Sequence, residues 1–465
     1  MVFSSYQFIF IFLPAVLVGC GLVRRYIGAV AAKVFIIIAS LVFYAQSRAI
    51  YVLLLSGTLL FNFVLSRFLC QGKTTAAKLA LAAAFIENLG ILGFFKYTWF
   101  FLDNVNKISG TDFTFKAIIL PVGISFFTFQ ILAYCVDLYR GDIKRANLLD
   151  FSVFVTFFPQ LIVGPITRYS DIGEQLKGDD AFTFKGENIM RAVFLFSVGC
   201  AKKILLADTL ISHAQAFYAS SAGAGPFEAW LGVISYTFAF YFDFSGYIDM
   251  ALALGLLFNI KLPQNFNSPY KATGFADFWR RWNITVSRFF EDYIFKGIFK
   301  FGGRIGKMIF AVMITFIVSG VWHGAGWNFI AWGLLNGALV AISNVFTVKS
   351  VKIPKAVGFI TTFFFIVMTR VLFDSGSISQ ALQVYASLFD IKTALVSSIR
   401  SFLSGNIRII IVNAVAAGIC FFAPNSGELT QRLKARWTTA VYSGALMAAS
   451  LFFMGEVSNF LYFQF

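Results

Sequence analysis

Long apolar stretches dominate this chain and restrict the folds open to it. A membrane-spanning helix needs about 20 mainly apolar residues, because the hydrocarbon core of a bilayer is about 30 Å thick and an α-helix rises about 1.5 Å per residue. The windows that fit are 7–23, 28–46, 49–65, 79–101, 116–138, 151–166, 190–207, 227–245, 246–260, 305–321, 326–346, 356–373, 407–424 and 437–455. We therefore predict an all-α, polytopic integral membrane protein with roughly 11–13 crossings, plus re-entrant or interfacial helices.

Composition excludes the main alternatives. Hydrophobic residues make up 58% of the chain and charged residues only 13%, about half the usual share in a soluble domain. A soluble enzyme, a disordered protein and a coiled coil are all excluded. No internal repeat or soluble domain is evident, so we expect one membrane-embedded domain over 1–465. Within it, 261–304 is predicted as a re-entrant or amphipathic segment on the cytoplasmic side, and 456–465 as an aromatic tail.

The positive charge is explained by topology. Lys and Arg exceed Asp and Glu by 38 − 22 = 16, and such an excess in a membrane protein marks cytoplasmic loops, so no nucleic-acid partner is needed. Basic clusters near Arg24, Arg67 and Arg140 fall in alternate loops, which predicts an extracytoplasmic N-terminus. Basic clusters near Lys352 and Lys434 are expected to be cytoplasmic, and one more span follows the second, which predicts an extracytoplasmic C-terminus. The five cysteines are scattered and form no CxxC pair, so neither a disulfide framework nor a metal site is indicated.

Two carboxylates lie inside apolar sequence. Asp243 and Asp249 are six residues apart, a spacing that does not place them on one helical face, and Gly246 is a candidate helix break between them. Polar groups inside a bilayer are costly, so each is a functional candidate. Two interpretations stay open: the carboxylates bind substrate or take part in catalysis, or they pair with buried partners and hold helices together.

The stretch from Asp277 to Asp292 is amphipathic and basic. Arg280 and Arg281 lie between Trp279 and Trp282. One interpretation is an interfacial helix with an aromatic belt. The other is a binding site for an anionic donor, in which the guanidinium groups grip phosphates.

Two further residues are candidates for group transfer. His323 follows an apolar run and lies among small residues, and imidazole is the side chain best suited to general-base chemistry near pH 7. It is also open to interpretation as a hydrogen-bonded packing residue. Tyr462, in the aromatic tail, is either part of an interfacial anchor or a phenol that serves as an acyl carrier.

Several motifs in order along the chain resemble the membrane-bound O-acyltransferase (MBOAT) family, and specifically its bacterial branch that modifies exported polymers. The motifs are Met1–Ser5, Pro121–Phe127, Phe157–Arg168, Tyr241–Tyr247, Asn265–Tyr270, Asp277–Trp282 and Trp322–Gly324. The resemblance implies that His323 is the catalytic residue. Positions that hold further histidines in some relatives are Asn283 and Asn336 here, which favours chemistry based on His323 alone.

The resemblance also implies an activity. The protein is expected to reside in the bacterial plasma membrane, within the lipid bilayer, and to take an acetyl group from cytoplasmic acetyl-CoA, with no bound cofactor. The acceptor is expected to be an exported polysaccharide such as alginate, peptidoglycan or cellulose, reached through an extracytoplasmic SGNH-type acetyltransferase partner. Asn283 and Asn336 are expected to stabilise the oxyanion, and Tyr462 resembles an acyl-carrying tyrosine of the D-alanylation system.

Three alternatives remain open from sequence. The first is transfer of D-alanine to teichoic acid. The second is a transporter or flippase that uses Asp243 and Asp249 as coupling carboxylates, although the inverted repeats of such proteins are not found. The third is a membrane scaffold in which the polar residues only hold helices together.

Overall fold

The computed structural model describes residues 1–114, 119–220, 224–300, 303–396, 399–455 and 460–461, and all regular elements in these ranges are helices. The first eleven α-helices are α1 (Leu13–Tyr26), α2 (Ala29–Ala45), α3 (Ile50–Leu69), α4 (Thr75–Ser109), α5 (Ile124–Arg140), α6 (Leu148–Thr156), α7 (Phe158–Leu161), α8 (Tyr169–Lys177), α9 (Gly186–Ala201), α10 (Asp208–Ala219) and α11 (Pro226–Leu257). The others are α12 (Phe275–Arg281), α13 (Ile284–Phe290), α14 (Lys296–Ile298), α15 (Ile305–His323), α16 (Trp327–Val348), α17 (Lys355–Asp374), α18 (Ile378–Leu388), α19 (Ile391–Val396), α20 (Ile399–Phe422), α21 (Ser426–Arg432) and α22 (Trp437–Phe453). Wider π-helical turns cover Phe8–Phe12, Lys202–Ala207 and Glu291–Phe295, and a 3₁₀ turn covers Pro269–Lys271.

The prediction of an all-α, multi-pass membrane protein is confirmed. Within the described ranges, 8 helices are long and apolar enough to cross a membrane, compared with the 11–13 crossings expected from sequence. They are Phe8–Tyr26, Ile50–Leu69, Thr75–Ser109, Pro226–Leu257, Ile305–His323, Trp327–Val348, Lys355–Asp374 and Ile399–Phe422. Two shorter apolar helices, Ala29–Ala45 and Trp437–Phe453, are also present.

Part of the difference in the number of crossings arises because two windows predicted from sequence form one helix. The windows 227–245 and 246–260 form the single continuous helix α11, so the prediction of a break at Gly246 is wrong. A Cβ at Gly246 would lie 2.8 Å from the carbonyl oxygen of Gly199. The missing side chain therefore permits close packing of α9 on α11 and does not end the helix.

Another predicted window is divided in the structure. The window 151–166 contains the two short helices α6 and α7, with a non-helical residue, Phe157, between them. Pro159 follows two residues later, and proline both lacks the N–H of a helix interior and clashes with the preceding turn. These helices are too short to span a bilayer.

The chain divides into two compact units. Unit 1 comprises 1–197, 247–263 and 434–443. Its core contains a cluster of aromatic rings: Phe3 stacks on Tyr247 at 4.8 Å between centroids, and Phe43 contacts Phe158 at 5.7 Å. Asp249 belongs to this unit and is buried.

Unit 2 comprises 198–246, 264–433 and 444–465. Helices α15 and α16 approach each other closely in this unit at two glycines. A Cβ at Gly320 would lie 2.3 Å from the carbonyl oxygen of Phe329, and a Cβ at Gly333 would lie 2.4 Å from that of Phe316. Small residues at such crossings let helix backbones pack in van der Waals contact. This packing places the end of α15 against α16.

The segment 261–304 contains the 3₁₀ turn and the short helices α12, α13 and α14, with the π-helical turn Glu291–Phe295 between α13 and α14. Its position on the cytoplasmic side stays a prediction, as does the assignment of 1–465 to one domain. In the tail 456–465, the structure describes Phe460 and Leu461.

Candidate active site

His323 is the last residue of α15 and its side chain is buried, with 7% exposure. Its imidazole lies edge to face against two rings from other helices. The centroid distances are 5.2 Å to Trp332 of α16 and 5.2 Å to Phe373 of α17. The neighbouring Trp322 ring adds a contact at 4.8 Å. Edge-to-face aromatic contacts of this kind are geometrically specific, so they fix the orientation of the imidazole.

Two cavities meet at this histidine. The larger has a volume of about 900 Å³ and the smaller about 30 Å³. Trp279, Asn283 and His323 line both of them. The structure therefore places the imidazole on the boundary between a space large enough for a sizeable ligand and a space of roughly the volume of one water molecule.

Asn283 occupies a special backbone position between α12 and α13. Its φ of 44° and ψ of 53° lie in the left-handed region, which Asn adopts more readily than most residues. Asn265 holds this corner: its carbonyl accepts the Ile284 N–H at 2.9 Å, and its side-chain oxygen accepts the Thr285 N–H at 3.0 Å. The Asn265 motif thus supports the position of Asn283.

Two polar atoms on the shared wall have no protein partner within the described residues. They are the Oδ1 of Asn283 and the Nε1 of Trp279, both buried. Unsatisfied buried polar groups are uncommon in native structures and require an explanation. A bound ligand or water in the adjoining cavities would supply the missing hydrogen bonds.

Asn336 lines only the smaller cavity. It is buried on α16, where its Nδ2 donates to the carbonyl of Trp332 at 2.9 Å and its Oδ1 accepts from the hydroxyl of Thr369 at 3.5 Å. Tyr270 lines the same cavity, and burial raises the pKa of its phenol well above the usual value. The Tyr270 hydroxyl donates to the carbonyl of Thr237 at 2.9 Å, which indicates a structural role.

The two predicted arginines have different environments. Arg280 is exposed and lines the larger cavity. Arg281 lines neither cavity described above, and its Nε donates to Asp277 Oδ1 at 2.9 Å one helical turn earlier. Arg288 also lines the larger cavity, although the sequence pattern did not single it out within the basic stretch.

Trp282 belongs to the smaller cavity and to an aromatic stack. Its ring stacks on Phe240 at 5.9 Å and on Phe278 at 5.6 Å. Trp279 contacts Trp332 at 5.6 Å, so the two predicted tryptophans connect α12 to α11 and α16. Both residues therefore belong to the site, mainly as cavity walls.

The predicted carboxylates lie elsewhere. Asp243 lines neither cavity: its Oδ1 pairs with Lys203 Nζ at 2.6 Å, and its Oδ2 accepts the Leu461 N–H at 2.8 Å. These contacts favour the structural interpretation of Asp243. Asp249 belongs to unit 1, whereas the described residues that line the two cavities belong to unit 2. Tyr462 lies outside the described residues.

Sequence reasoning missed Arg370, which lines the smaller cavity from α17. Its guanidinium lies 3.4 Å from the ring centroid of Phe240 and 4.5 Å from that of Phe373. It also forms a two-point ion pair with Asp374, at 3.0 Å through Nε and 2.6 Å through one terminal nitrogen. The available signal was an Arg and an Asp four residues apart at the end of an apolar helix.

Comparisons with known proteins define the class to which this chain belongs. The model of the membrane-bound O-acyltransferase family matches residues 26–373. The chain is 34% identical to a peptidoglycan O-acetyltransferase of Helicobacter pylori, with 100% of this chain and 98% of the relative covered. It is 35% identical to a protein of Pseudomonas aeruginosa named probable alginate O-acetylase, with 87% and 78% covered. A teichoic acid D-alanyltransferase of Streptococcus thermophilus is 30% identical over 50% of this chain and 59% of the relative.

These matches identify an O-acyltransferase embedded in the membrane. The chain belongs to the membrane-bound O-acyltransferase (MBOAT) family, and the resemblance drawn from its motifs is confirmed. Membership of this family favours the enzyme over the two other interpretations, a transporter and a membrane scaffold.

Proposed function

We propose that this protein transfers an acetyl group from cytoplasmic acetyl-CoA toward hydroxyl groups of an exported polysaccharide, with His323 as the general base. The observation that carries the proposal is the position of the His323 imidazole on the wall shared by the two cavities. The relatives named for O-acetylation of peptidoglycan and alginate support polysaccharide as the final acceptor.

The chemistry at His323 is a single acyl transfer. The imidazole takes the proton of an attacking hydroxyl, whose oxygen forms a bond to the thioester carbonyl carbon. The carbon–sulfur bond then breaks, and the leaving thiolate receives the proton from the imidazolium. The indole N–H of Trp279 and an amide N–H of Asn283, both on the shared wall, are suited to stabilise the oxyanion. Asn336 is a weaker candidate for this role because its amide is already bonded within α16.

The larger cavity suits the donor. Its volume of about 900 Å³ is at the upper end of the range of ligand pockets. Arg280 and Arg288 line it and supply positive charge for the phosphates of acetyl-CoA. Arg281, paired with Asp277, is the weaker candidate for this contact.

The smaller cavity suits the acyl group. Its volume of about 30 Å³ is close to that of one water molecule or one methyl group. Arg370 is the charged residue on its described wall, and none of the described lining residues is a carboxylate. The ammonium group of a D-alanyl substrate would therefore find no carboxylate on the described wall to pair with, which favours acetyl over D-alanyl transfer.

The acceptor of the first transfer is proposed to be the phenol of Tyr462. Support comes from Phe460 and Leu461, which precede it and are buried within unit 2. The acetyl ester would then pass to an extracytoplasmic SGNH-type transferase and on to the polymer. A bacterial plasma membrane location with both termini extracytoplasmic belongs to the same proposal.

The test uses isotope-labelled acetyl-CoA with purified wild-type, His323→Ala and Tyr462→Phe proteins. Mass spectrometry of the C-terminal peptide is expected to find the label on Tyr462 in the wild type and on neither variant. His213→Ala is the matched control, because the only other histidine lies on α10 and lines neither cavity. Full activity of His323→Ala would overturn the proposal. Thioester hydrolysis that depends on His323, without any label on Tyr462, would remove only the tyrosyl step.

A further inference from the structure

A buried cluster of charged residues in unit 2 holds the end of the chain. Lys203 and Asp243 are each 1% exposed, and the Lys203 ammonium pairs with Asp243 at 2.6 Å and with Asp208 at 2.9 Å. The Phe460 ring centroid lies 4.5 Å from the same ammonium, and the Leu461 N–H donates to Asp243 at 2.8 Å.

The cluster is incomplete without these tail residues. One carboxylate oxygen of Asp243 is satisfied by Lys203, and the other by the backbone of Leu461, 218 residues away in sequence. A buried charge is tolerated only when it is paired and hydrogen-bonded. Removing the tail would leave the second oxygen without this donor and would take the aromatic face away from Lys203.

The local helix geometry places the lysine in this position. Lys203 lies in the π-helical turn Lys202–Ala207, and such turns inside α-helices occur frequently at functional sites. Asp208 follows this turn directly and Asp243 lies on α11, so the cation is held between carboxylates from two helices. The site therefore binds an aromatic ring and a backbone N–H in adjacent positions.

We propose that Lys203, Asp208 and Asp243 form an anchoring site for the carboxy-terminal segment of this same chain. The anchor fixes Phe460 and Leu461 inside unit 2 and so sets the point from which the chain continues to Tyr462. Asp243 and Lys203 are then positioning residues for the acyl transfer, a role that rests on the proposed function of Tyr462. Asp243, the carboxylate of the Tyr241–Tyr247 motif, is thereby assigned the role of binding the tail.

The experiment measures trimming of the full-length protein by carboxypeptidase Y, followed by intact mass spectrometry. Leu461→Pro removes the donating N–H and leaves the charged cluster unchanged, whereas Leu461→Ala keeps the N–H. Asp243→Ala removes the acceptor. Leu461→Pro and Asp243→Ala are expected to release residues 460 and 461 at least tenfold faster than wild type, and Leu461→Ala is expected to have a smaller effect. Glu174→Gln, which removes an exposed carboxylate, is the control.

Acetyl labelling of Tyr462 is measured on the same proteins. Faster trimming together with weaker labelling, while His323-dependent thioester hydrolysis continues, supports both the anchor and its role in the reaction. Unchanged trimming in Leu461→Pro and Asp243→Ala overturns the anchor, whatever the labelling shows. Faster trimming in the variants with no label on wild-type Tyr462 supports the anchor and contradicts the tyrosyl step of the proposed function.

Discussion

Arg370 and Asp374 form a buried ion pair one helical turn apart on α17, and the residue just before Asp374 is Phe373, whose ring contacts His323. The Arg370 guanidinium also lies close to two rings, 3.4 Å from the ring centroid of Phe240 and 4.5 Å from that of Phe373. The pair therefore holds the aromatic wall that orients the imidazole. Arg370 also lines the smaller cavity.

Removing one member of this pair is expected to destabilise the protein strongly. Arg370→Met or Asp374→Leu alone leaves an uncompensated buried charge, at a cost of about 3–5 kcal/mol. The double variant replaces both charges with apolar groups and is expected to recover most of that loss. Thermal unfolding of the detergent-solubilised proteins measures the effect, and additive losses in the double variant would contradict it.

Arg370→Lys tests whether the shape of the guanidinium matters in addition to its positive charge. The ammonium keeps the charge, but it lacks the planar guanidinium that lies close to the Phe240 and Phe373 rings and makes the two-point contact with Asp374. Because the wall that orients His323 would loosen, kcat is expected to fall by about tenfold with KM for acetyl-CoA nearly unchanged. A change confined to KM would instead assign Arg370 to donor binding.

Asn283 combines a backbone role with a chemical one, and two substitutions distinguish them. Asn283→Gly adopts the left-handed conformation freely, whereas Asn283→Ala carries a strain of about 1 kcal/mol or more. Both remove the amide, which is expected to cost about 10²–10³ in kcat if the amide stabilises the oxyanion. Turnover of acetyl-CoA and thermal unfolding are measured together. Full activity in Asn283→Gly would limit this residue to its backbone role.

The glycines between α15 and α16 are expected to control the position of His323. Gly320→Ala places a Cβ 2.3 Å from the Phe329 carbonyl oxygen, so the two helices must separate. Stability and activity are expected to fall together, with overpacking alone costing about 1–3 kcal/mol. Gly306→Ala on the same helix is the matched control, because nothing lies within 4 Å of its Cβ. Equal unfolding temperatures in both variants would contradict the prediction.

The site residues that could be predicted from sequence are polar or titratable side chains that interrupt long apolar stretches. His323 and Asn283 lie in short polar motifs between apolar stretches, and the structure brings both to one wall. The helical class followed from apolar windows alone. The family motifs added the expectation of catalysis at His323, which stays a prediction until it is measured.

What the sequence did not predict depends on contacts between distant segments. Arg370 matters because α17 turns it toward the rings around His323, and a single sequence does not give that rotation. Asp243 has its tail partner 218 residues away, so local spacing gave no sign of it. Glycine at position 246 is compatible both with a helix break and with close packing of two helices, so the residue type alone does not distinguish the two.

The different environments of the two adjacent arginines give a comparative prediction. Arg280 lines the larger cavity, whereas Arg281 is paired with Asp277. Arg280→Ala is expected to raise KM for acetyl-CoA severalfold with kcat nearly unchanged, since the phosphates would be bound alike in the ground state and transition state. Arg281→Ala is expected to have a smaller effect. Steady-state kinetics at two salt concentrations measures both, and a larger effect from Arg281→Ala would contradict the donor assignment.

The size of the smaller cavity predicts the acyl chain length that the enzyme accepts. Ile366 is buried on its wall, and each additional methylene in an apolar pocket changes discrimination by about 10–200-fold. Wild-type protein is therefore expected to use propionyl-CoA far less efficiently than acetyl-CoA, and Ile366→Ala is expected to reduce that preference at least tenfold. Ile366→Val, a milder change, is expected to give an intermediate preference at lower cost in stability. Ile309→Ala is the matched control, because Ile309 lines neither cavity. If all these variants keep the wild-type ratio of kcat/KM values for the two thioesters, the acyl group does not occupy this cavity.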